Sequence, residues 1–399
     1  MDQAQWQFLL SEKGQSILAE MAETPITEDI HLQVASRLRK EFDPHLAQAV
    51  IETVWLRQRA ADKFSRAGQM YFTRQALEQS SSEIVSTYRA QRFFDAGFGR
   101  IADLGCSIGG DALALAAKAD VIGIDLEWLR LAMARENLQA YGNRDRFFPL
   151  QADLAIQAPL RVEALFFDPA RRDEQGKRLK SVHLYRPPLS LIDGWRKKTA
   201  HAAVKVSPGI DYTEIPLDAQ VEFISVSGSV KECVLWYGDL QRGHGRQATL
   251  LPGEDILTLE DTPGPDVPAR EPAAYLYEPD GAVIRAHLIQ TLARRLEAAP
   301  IDASIAYLTA DDGRETPFAR CFAIEDWFPF QLKRLRHYLR ERNIGRVTIK
   351  KRGSPLEPEV LQRRLRLKGD EEGIIFLTHV LGEPAVLIGK EANFIAREE

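Results

Sequence analysis

Cysteine is scarce in this chain: Cys106, Cys233 and Cys321 lie far apart and none sits in a CxxC pair. That excludes a disulfide-stapled scaffold and a cysteine-ligated structural zinc, and it suits a reducing compartment. Long apolar runs are also lacking. No window approaches 18 uninterrupted apolar residues, and MDQAQWQFLL at the start has no basic stretch before an apolar one. Neither membrane spanning nor export is therefore expected, and the expected location is the cytoplasm. An overall excess of positive charge is missing as well, since 52 Lys and Arg face 57 Asp and Glu for a net charge of −5. The molecule as a whole has no nucleic-acid signature. Internal repeats and low-complexity tracts are absent.

The composition that remains, 45% hydrophobic and 27% charged over 399 residues, is globular and too long for one ordinary domain. Charge is unevenly spread. Between Gln331 and Lys368, 13 Lys and Arg face 3 Glu, a local charge of +10 inside a chain of net −5. Such asymmetry points to a partner of opposite charge at this region.

Hydrophobic periodicity divides the chain. Residues 1–80 read as a helical N-terminal domain, with FLLSEKGQSILAEMA at helical spacing and Asp43-Pro44 as an N-cap with proline at the first helical position. From 81 to 250, short apolar strands alternate with amphipathic helices: RIADLG, DVIGID, FFPLQA, EALFFDP, AAVKVSP, EFISVS and ECVLWYG. This alternation predicts an α/β, Rossmann-like, seven-stranded doubly wound sheet whose last two strands form an antiparallel hairpin. Residues 251–272, with five prolines between Leu251 and Pro272, read as a linker. A small α+β ferredoxin-like unit is expected over 273–325 and a second, basic unit over 326–399, with AVIRAHLIQTLARRLEA as one helix.

The glycine-rich stretch ADLGCSIGGDALALA raises a choice, because GCSIG matches the turn that presents a nucleophilic serine in hydrolases. That reading needs an acid and then a histidine downstream. His183, His201 and His244 follow, but no sequence context singles one out, and no HGGG-like motif precedes Ser107. A cofactor loop explains more residues at once. Asp103 precedes the turn, Gly105, Gly109 and Gly110 let backbone approach a ligand, and a helix starting near Asp111 would offer free amides. Asp125 ends the next strand 20 residues after Gly105, where an acid meets ribose hydroxyls, and Asp153 in QADL ends the third, within reach of an adenine amino group. FFDPARR then delivers Asp168 and Pro169 to the carboxyl edge of the sheet. Lys205, Ser207 and Pro208 end the fifth strand beside them, as a structural turn or as substrate contacts, and Arg89 and Arg92 precede the first, where they could reach a ligand carboxylate or a phosphate. For each acid the bland alternative is a solvated strand end, and for each arginine a surface ion pair.

Taken together, ADLGCSIGGD, VIGIDLE, QADL and FFDPARR resemble the successive motifs of class I S-adenosylmethionine-dependent methyltransferases, over Ser81 to about Gly238. The resemblance implies S-adenosylmethionine as cofactor, held by Asp103, Gly105, Ser107, Gly109, Asp111, Asp125 and Asp153, with Asp168, Pro169 and Arg171 at the reacting group and no metal. Amino-methylating relatives carry Asp, Asn or Ser followed by Pro-Pro and an aromatic. Here Ala170 and Arg171 replace the last two. Arg171 and Arg172 have guanidinium planes suited to stacking on a base or gripping a phosphate. C5-methylating uridine enzymes carry a DPPR motif but need a cysteine nucleophile, and neither Cys233 nor Cys321 sits in a matching context.

The domain order also resembles bacterial methyltransferases with a C-terminal THUMP-like domain, most clearly in FPFQLKRLRHYLRERNIGRVTIKKRGSP. SSSEIVSTYRAQRF is more weakly similar to the segment before the glycine loop of trimethylguanosine synthases. THUMP domains bind structured RNA, so the resemblance implies an RNA substrate, tRNA or rRNA, methylated on a base and by preference on an exocyclic amine. The candidate phosphate contacts are Lys333, Arg336, Arg340, Lys350, Lys351 and Arg352, against the alternative of a solvated face. A monomer is expected. Two other readings stay open at this point: a small-molecule methyltransferase whose C-terminal region is a lid or dimerisation domain, and a non-catalytic RNA-binding protein with a vestigial core.

Overall fold

The computed structural model describes residues 1–399 except 27, 157–160, 174, 244, 260, 393 and 395–399. Packing divides the chain into two units, one formed by Met1–Gln220 with Cys233–His244 and the other by Val221–Glu232 with Gly245–Glu399.

The first unit opens with the helices α1 (Gln3–Leu10), α2 (Glu12–Glu20), α3 (Glu28–Leu38), α4 (Pro44–Ala60), α5 (Arg74–Gln79) and α6 (Glu83–Asp95). Local chemistry sets their starts. The Asp2 carboxylate accepts from the Gln5 amide at 2.9 Å while the Gln5 side chain accepts from the Asp2 amide at 2.9 Å, a reciprocal cap that satisfies two otherwise orphan donors. Asp43 caps α4 through the His45 amide at 2.8 Å, with Pro44 at the first helical position as the sequence predicts. Ala47, Val50, Ile51 and Val54 of α4 are buried, and the helix packs against α1, α2 and α3.

The α/β part follows as β1 (Arg100–Leu104), α7 (Ala112–Leu115), β2 (Asp120–Asp125), α8 (Trp128–Ala140), β3 (Phe147–Gln151), β4 (Ala164–Phe167), α9 (Leu191–Arg196), β5 (His201–Val206), β6 (Gln220–Val226) and β7 (Ser229–Tyr237). All seven predicted strands form. In the first unit the order is β3-β2-β1-β4-β5-β7, five parallel strands and then β7 antiparallel to β5. Strand order reverses between β1 and β4, so the crevice beyond their carboxyl ends is a topological switch point, where open α/β sheets bind ligands.

β6 packs in the second unit, where it runs parallel to β8 (Arg246–Leu251), which pairs antiparallel with β9 (Asp255–Thr258). The stretch predicted as a linker therefore begins inside a hairpin. Its Pro252 and Gly253 form the turn, and Leu257 of β9 is fully buried. The rest comprises β10 (Tyr275–Pro279), α10 (Gly281–Arg285), α11 (Ile289–Leu296), β11 (Ala299–Asp302), β12 (Ile305–Ala310), β13 (Ala319–Pro329), α12 (Leu332–Glu341), β14 (Ile344–Lys351), α13 (Pro358–Leu365), β15 (Glu371–Val380) and β16 (Glu383–Glu391). The helix predicted over 282–298 is two helices, because His287 takes a left-handed backbone (φ 55) that ends α10.

One sheet, β11-β12-β10-β13-β16-β15-β14, runs through both predicted C-terminal segments, and β13 crosses position 325 without a break. Period-two alternation explains how it is covered. Ile375 and Leu377 of β15 join a core with Leu335 and Leu339 of α12 and Leu361 and Leu365 of α13, whereas Phe376 points to the opposite core with Leu276, Tyr307 and Phe322.

One buried side chain ties the helical segment to the glycine loop. Asn137 of α8 accepts from the Tyr71 amide at 2.7 Å and donates to the carbonyls of Tyr71 at 3.0 Å and Ile108 at 2.9 Å. Replacing it by alanine strands one donor and two acceptors in a site closed to water. Asn137→Ala is expected to lower unfolding stability by about 1–3 kcal/mol in urea titration, and an unchanged midpoint would show that these bonds contribute nothing.

Candidate active site

The carboxyl edge of the first unit's sheet gathers the predicted acids because parallel strands end together. The register pairs Asp103 with Gly123 and with Phe166, and Phe167 with Val204. This sets Asp168 level with Lys205 on the neighbouring strand.

The glycine loop is built by backbone need. Gly105 has φ 84, and a Cβ there would stand 2.9 Å from the Asp168 carbonyl oxygen, so no side chain fits. Gly109 has φ 82 with Leu138 and Ala134 of α8 at 3.0 and 3.1 Å from its would-be Cβ. Ser107 also takes a left-handed backbone, φ 49, and its amide donates to Asp125 Oδ2 at 3.0 Å. The other Asp125 oxygen accepts from the Glu127 amide at 2.9 Å, so this acid closes the loop as well as ending β2. Asp153 lies two residues beyond β3 and accepts from the Ala155 amide at 2.8 Å.

The hydrolase alternative fails on geometry. His201 begins β5, at the opposite end of the parallel sheet from Ser107, and its Nδ1 accepts from the Asp239 amide at 3.0 Å. His183 is exposed in the loop after Asp168, and His244 lies outside the described residues. The cysteines offer no nucleophile either. Burial raises the Cys106 thiol well above its ordinary range and pushes Cys321 up to about 11, and Cys233 is wholly buried in β7.

Five charged groups form the heart of the site. Lys205, 2% exposed, donates to Asp168 Oδ2 at 2.6 Å. Arg89 of α6 pairs with Asp111, donates to Ser81 Oγ at 2.9 Å and lies over the Phe166 ring at 4.7 Å. Asp103 sits among them, 1% exposed, with neither carboxylate oxygen hydrogen-bonded among the described residues. Burial, and then the charges of Asp111 and Asp168, raise its carboxyl well above the usual carboxylate range against the pull of Arg89 and Lys205.

Several sequence expectations land differently. The helix predicted from Asp111 is the single turn α7, and Asp111 serves as the partner of Arg89. Arg92 is a core residue, donating to the Leu240 carbonyl at 2.5 Å and to Gln220, with its guanidinium 4.2 Å from the Trp236 ring. Arg171 donates to the Val206 carbonyl at 3.5 Å, beside the end of β5. Lys205, read from the sequence as a turn residue or a substrate contact, is the partner of Asp168, and Arg178, which the sequence did not single out, donates to Ser207 Oγ. Only the alternation of β5, placing a lysine inside an apolar strand, marked the first.

In the second unit, the six basic candidates separate. Lys350 pairs with Glu278 at 2.6 Å and Lys351 with Glu357 at 2.8 Å. Arg336 donates through Nε to the Arg364 carbonyl at 2.7 Å, and Arg352 lies 5.1 Å from the Tyr307 ring. Lys333 and Arg340 stand exposed on α12, with Arg363 and Arg364 exposed on α13.

Comparison with known proteins identifies the family and the fold. Residues 319–391 match a THUMP domain-like family, and residues 2–60 match a domain of unknown function, DUF8688. Two curated Mycobacterium tuberculosis proteins, from strains CDC 1551 and H37Rv, are each 35% identical over 349 residues, covering 83% of this chain and 92% of theirs. Both are described as uncharacterized S-adenosylmethionine-dependent methyltransferases. A crystal structure from Porphyromonas gingivalis W83, described as a methyltransferase, superposes with a TM-score of 0.75 at 22% identity, covering 92% of this chain and all of that one, which establishes the shared fold.

The unpartnered Asp103 carries a stability signature. Because its folded pKa is raised, the folded chain binds more protons than the unfolded chain between the ordinary carboxylate value and that raised pKa, so stability falls as pH rises through that window. Asp103→Asn is therefore expected to be more stable than the parent at pH 7 in denaturant unfolding, with the gap closing as pH approaches the ordinary carboxylate value. A variant less stable at pH 7 would mean that the carboxylate is satisfied when ionised.

Proposed function

The chain belongs to the S-adenosylmethionine-dependent methyltransferases, and from that premise we propose that its substrate is RNA, methylated on a base through an exocyclic amine. The observation that carries the RNA reading is the THUMP-like match over 319–391 together with the exposed cations of α12 and α13 inside it.

The residues at the sheet edge suit the cofactor. Gly105, Ser107 and Gly109 take left-handed backbone conformations that turn the chain back at the switch point, and Asp125 and Asp153 follow β2 and β3 where ribose and adenine would be held. Asp103 has neither oxygen hydrogen-bonded among the described residues, and a cationic ligand beside it would favour its ionised form. When bound, S-adenosylmethionine supplies an electrophilic methyl on a sulfonium sulfur.

The protein's own part is positioning. Lys205 occupies Asp168 Oδ2 and fixes the carboxylate, leaving Oδ1 to accept a hydrogen bond from the attacking amine and aim its lone pair. Pro169 stiffens the turn behind it. Arg171 replaces the aromatic of amino-methylating relatives with a planar cation.

Of the six basic candidates, Lys333 and Arg340 are best placed for phosphate, whereas Lys350 and Lys351 already hold carboxylates. RNA affinity of the full chain should fall linearly with salt on logarithmic axes. Lys333→Glu with Arg340→Glu should flatten that slope by about 0.7 for each phosphate no longer gripped on single-stranded RNA. Cofactor affinity should not move. Normal RNA binding by this variant would reduce the surface to a solvated face and remove the main support for an RNA substrate.

A further inference from the structure

We propose that Arg171 and Arg178, with Ser207, form a subsite for a phosphate group of the substrate nucleotide beside Asp168; this rests on the RNA reading above. The residues come from one structured loop and the strand end it covers. Ala170 and Arg186 exchange backbone hydrogen bonds at 3.0 and 3.1 Å, the Leu179 amide donates to the Arg171 carbonyl at 2.9 Å, and Arg172 and Arg178 are bridged. Glu214 pins the returning arm by accepting from the Val182 amide at 3.0 Å. The described residues of the loop that follows Asp168 are thus tied together as a hairpin.

Its charge is one-sided. Between Ala170 and Arg186 the sequence places Arg171, Arg172, Lys177, Arg178, Lys180 and Arg186 against Asp173 and Glu174. Asp173 is engaged by the turn itself, accepting from the amides of Gln175 at 3.0 Å and Lys177 at 2.8 Å.

Two of the arginines converge on the end of β5. Arg171 donates to the Val206 carbonyl and Arg178 to Ser207 Oγ, which also accepts from the Gly209 amide at 3.1 Å. The Ser207 amide in turn donates to the buried Tyr185 hydroxyl at 3.3 Å, fixing the turn on which both guanidinium groups rest. Their partners here are neutral oxygens. Among the described residues neither arginine has a carboxylate partner, whereas the adjacent cation, Lys205, is spent on Asp168. Two fork-shaped cations held on one turn, beside a positioned carboxylate, suit a phosphate, whose oxygens can accept from both. A phosphate held here would set the distance from the backbone of the target nucleotide to Asp168.

The test uses the full chain saturated with S-adenosylhomocysteine, titrated calorimetrically with the four ribonucleoside 5′-monophosphates, their nucleosides and inorganic phosphate. At least one monophosphate is expected to bind about tenfold or more tighter than its nucleoside, the size of one charge-assisted contact. Arg171→Gln with Arg178→Gln should erase that preference, Arg178→Lys should reduce it only in part, and Lys333→Glu with Arg340→Glu should leave it intact. Equal affinity for monophosphates and nucleosides, or a preference that survives the double glutamine variant, would overturn the subsite. So would loss of S-adenosylhomocysteine affinity in Arg178→Lys, which would assign the arginines to the cofactor's carboxylate. RNA binding without any monophosphate preference removes the subsite alone, and monophosphate preference without RNA binding removes the RNA reading alone.

Discussion

The ion pair between Lys205 and Asp168 is the constraint on which the rest of the site depends. An ammonium this deeply buried costs several kcal/mol unless a carboxylate meets it, and removing the partner of such a pair typically costs about 3–5 kcal/mol. The parallel register of β4 and β5 supplies that partner at 2.6 Å. The acid at the end of β4 is therefore fixed by folding before any substrate arrives. Lys205 being committed, Asp103 on the next strand is left without a hydrogen-bond partner among the described residues, and Arg89 is drawn to Asp111. One pairing thus separates a carboxylate that is held from one that is not.

Most of the first unit was legible from the sequence because its signals are local. Seven apolar runs became seven strands, six of them in the first unit's sheet, and the acids at the ends of its parallel strands came to one edge because those strands share a direction. What periodicity could not show was the second layer of partners. Arg92 reads as a free cation in the sequence, yet it is held by Leu240 and Gln220, more than 120 positions away. Asn137 reads as a polar residue in a helix, and only the tertiary packing of Tyr71 and Ile108 around it reveals a three-bond tie. The β8–β9 hairpin was hidden because the residues that make its turn, Pro252 and Gly253, are also the residues of linkers.

The basic region shows the same limit in electrostatic form. A local charge of +10 is visible in the sequence, but how much of it faces a partner depends on carboxylates contributed from elsewhere. Glu278, 72 positions from Lys350, removes that lysine from the exposed set, while Lys333 and Arg340 remain in it. Surface cations without such partners are the ones that release counterions when a phosphate backbone binds. The hairpin after Asp168 adds a second cationic surface, carried by the first unit. Each unit therefore carries its own cationic surface, one on the hairpin after Asp168 and one on α12 and α13.

The central claim is that Asp168 positions an RNA amine for methylation. It is tested most directly by following methyl-labelled S-adenosylmethionine into total bacterial RNA, with the parent chain and with Asp168→Asn, while cofactor binding is measured on both. Label is expected in RNA with the parent, with a loss of about 100-fold or more in Asp168→Asn, the range of a positioned acid–base group, and with cofactor still bound. Label that never enters RNA, or transfer by Asp168→Asn at the parental rate, would contradict it.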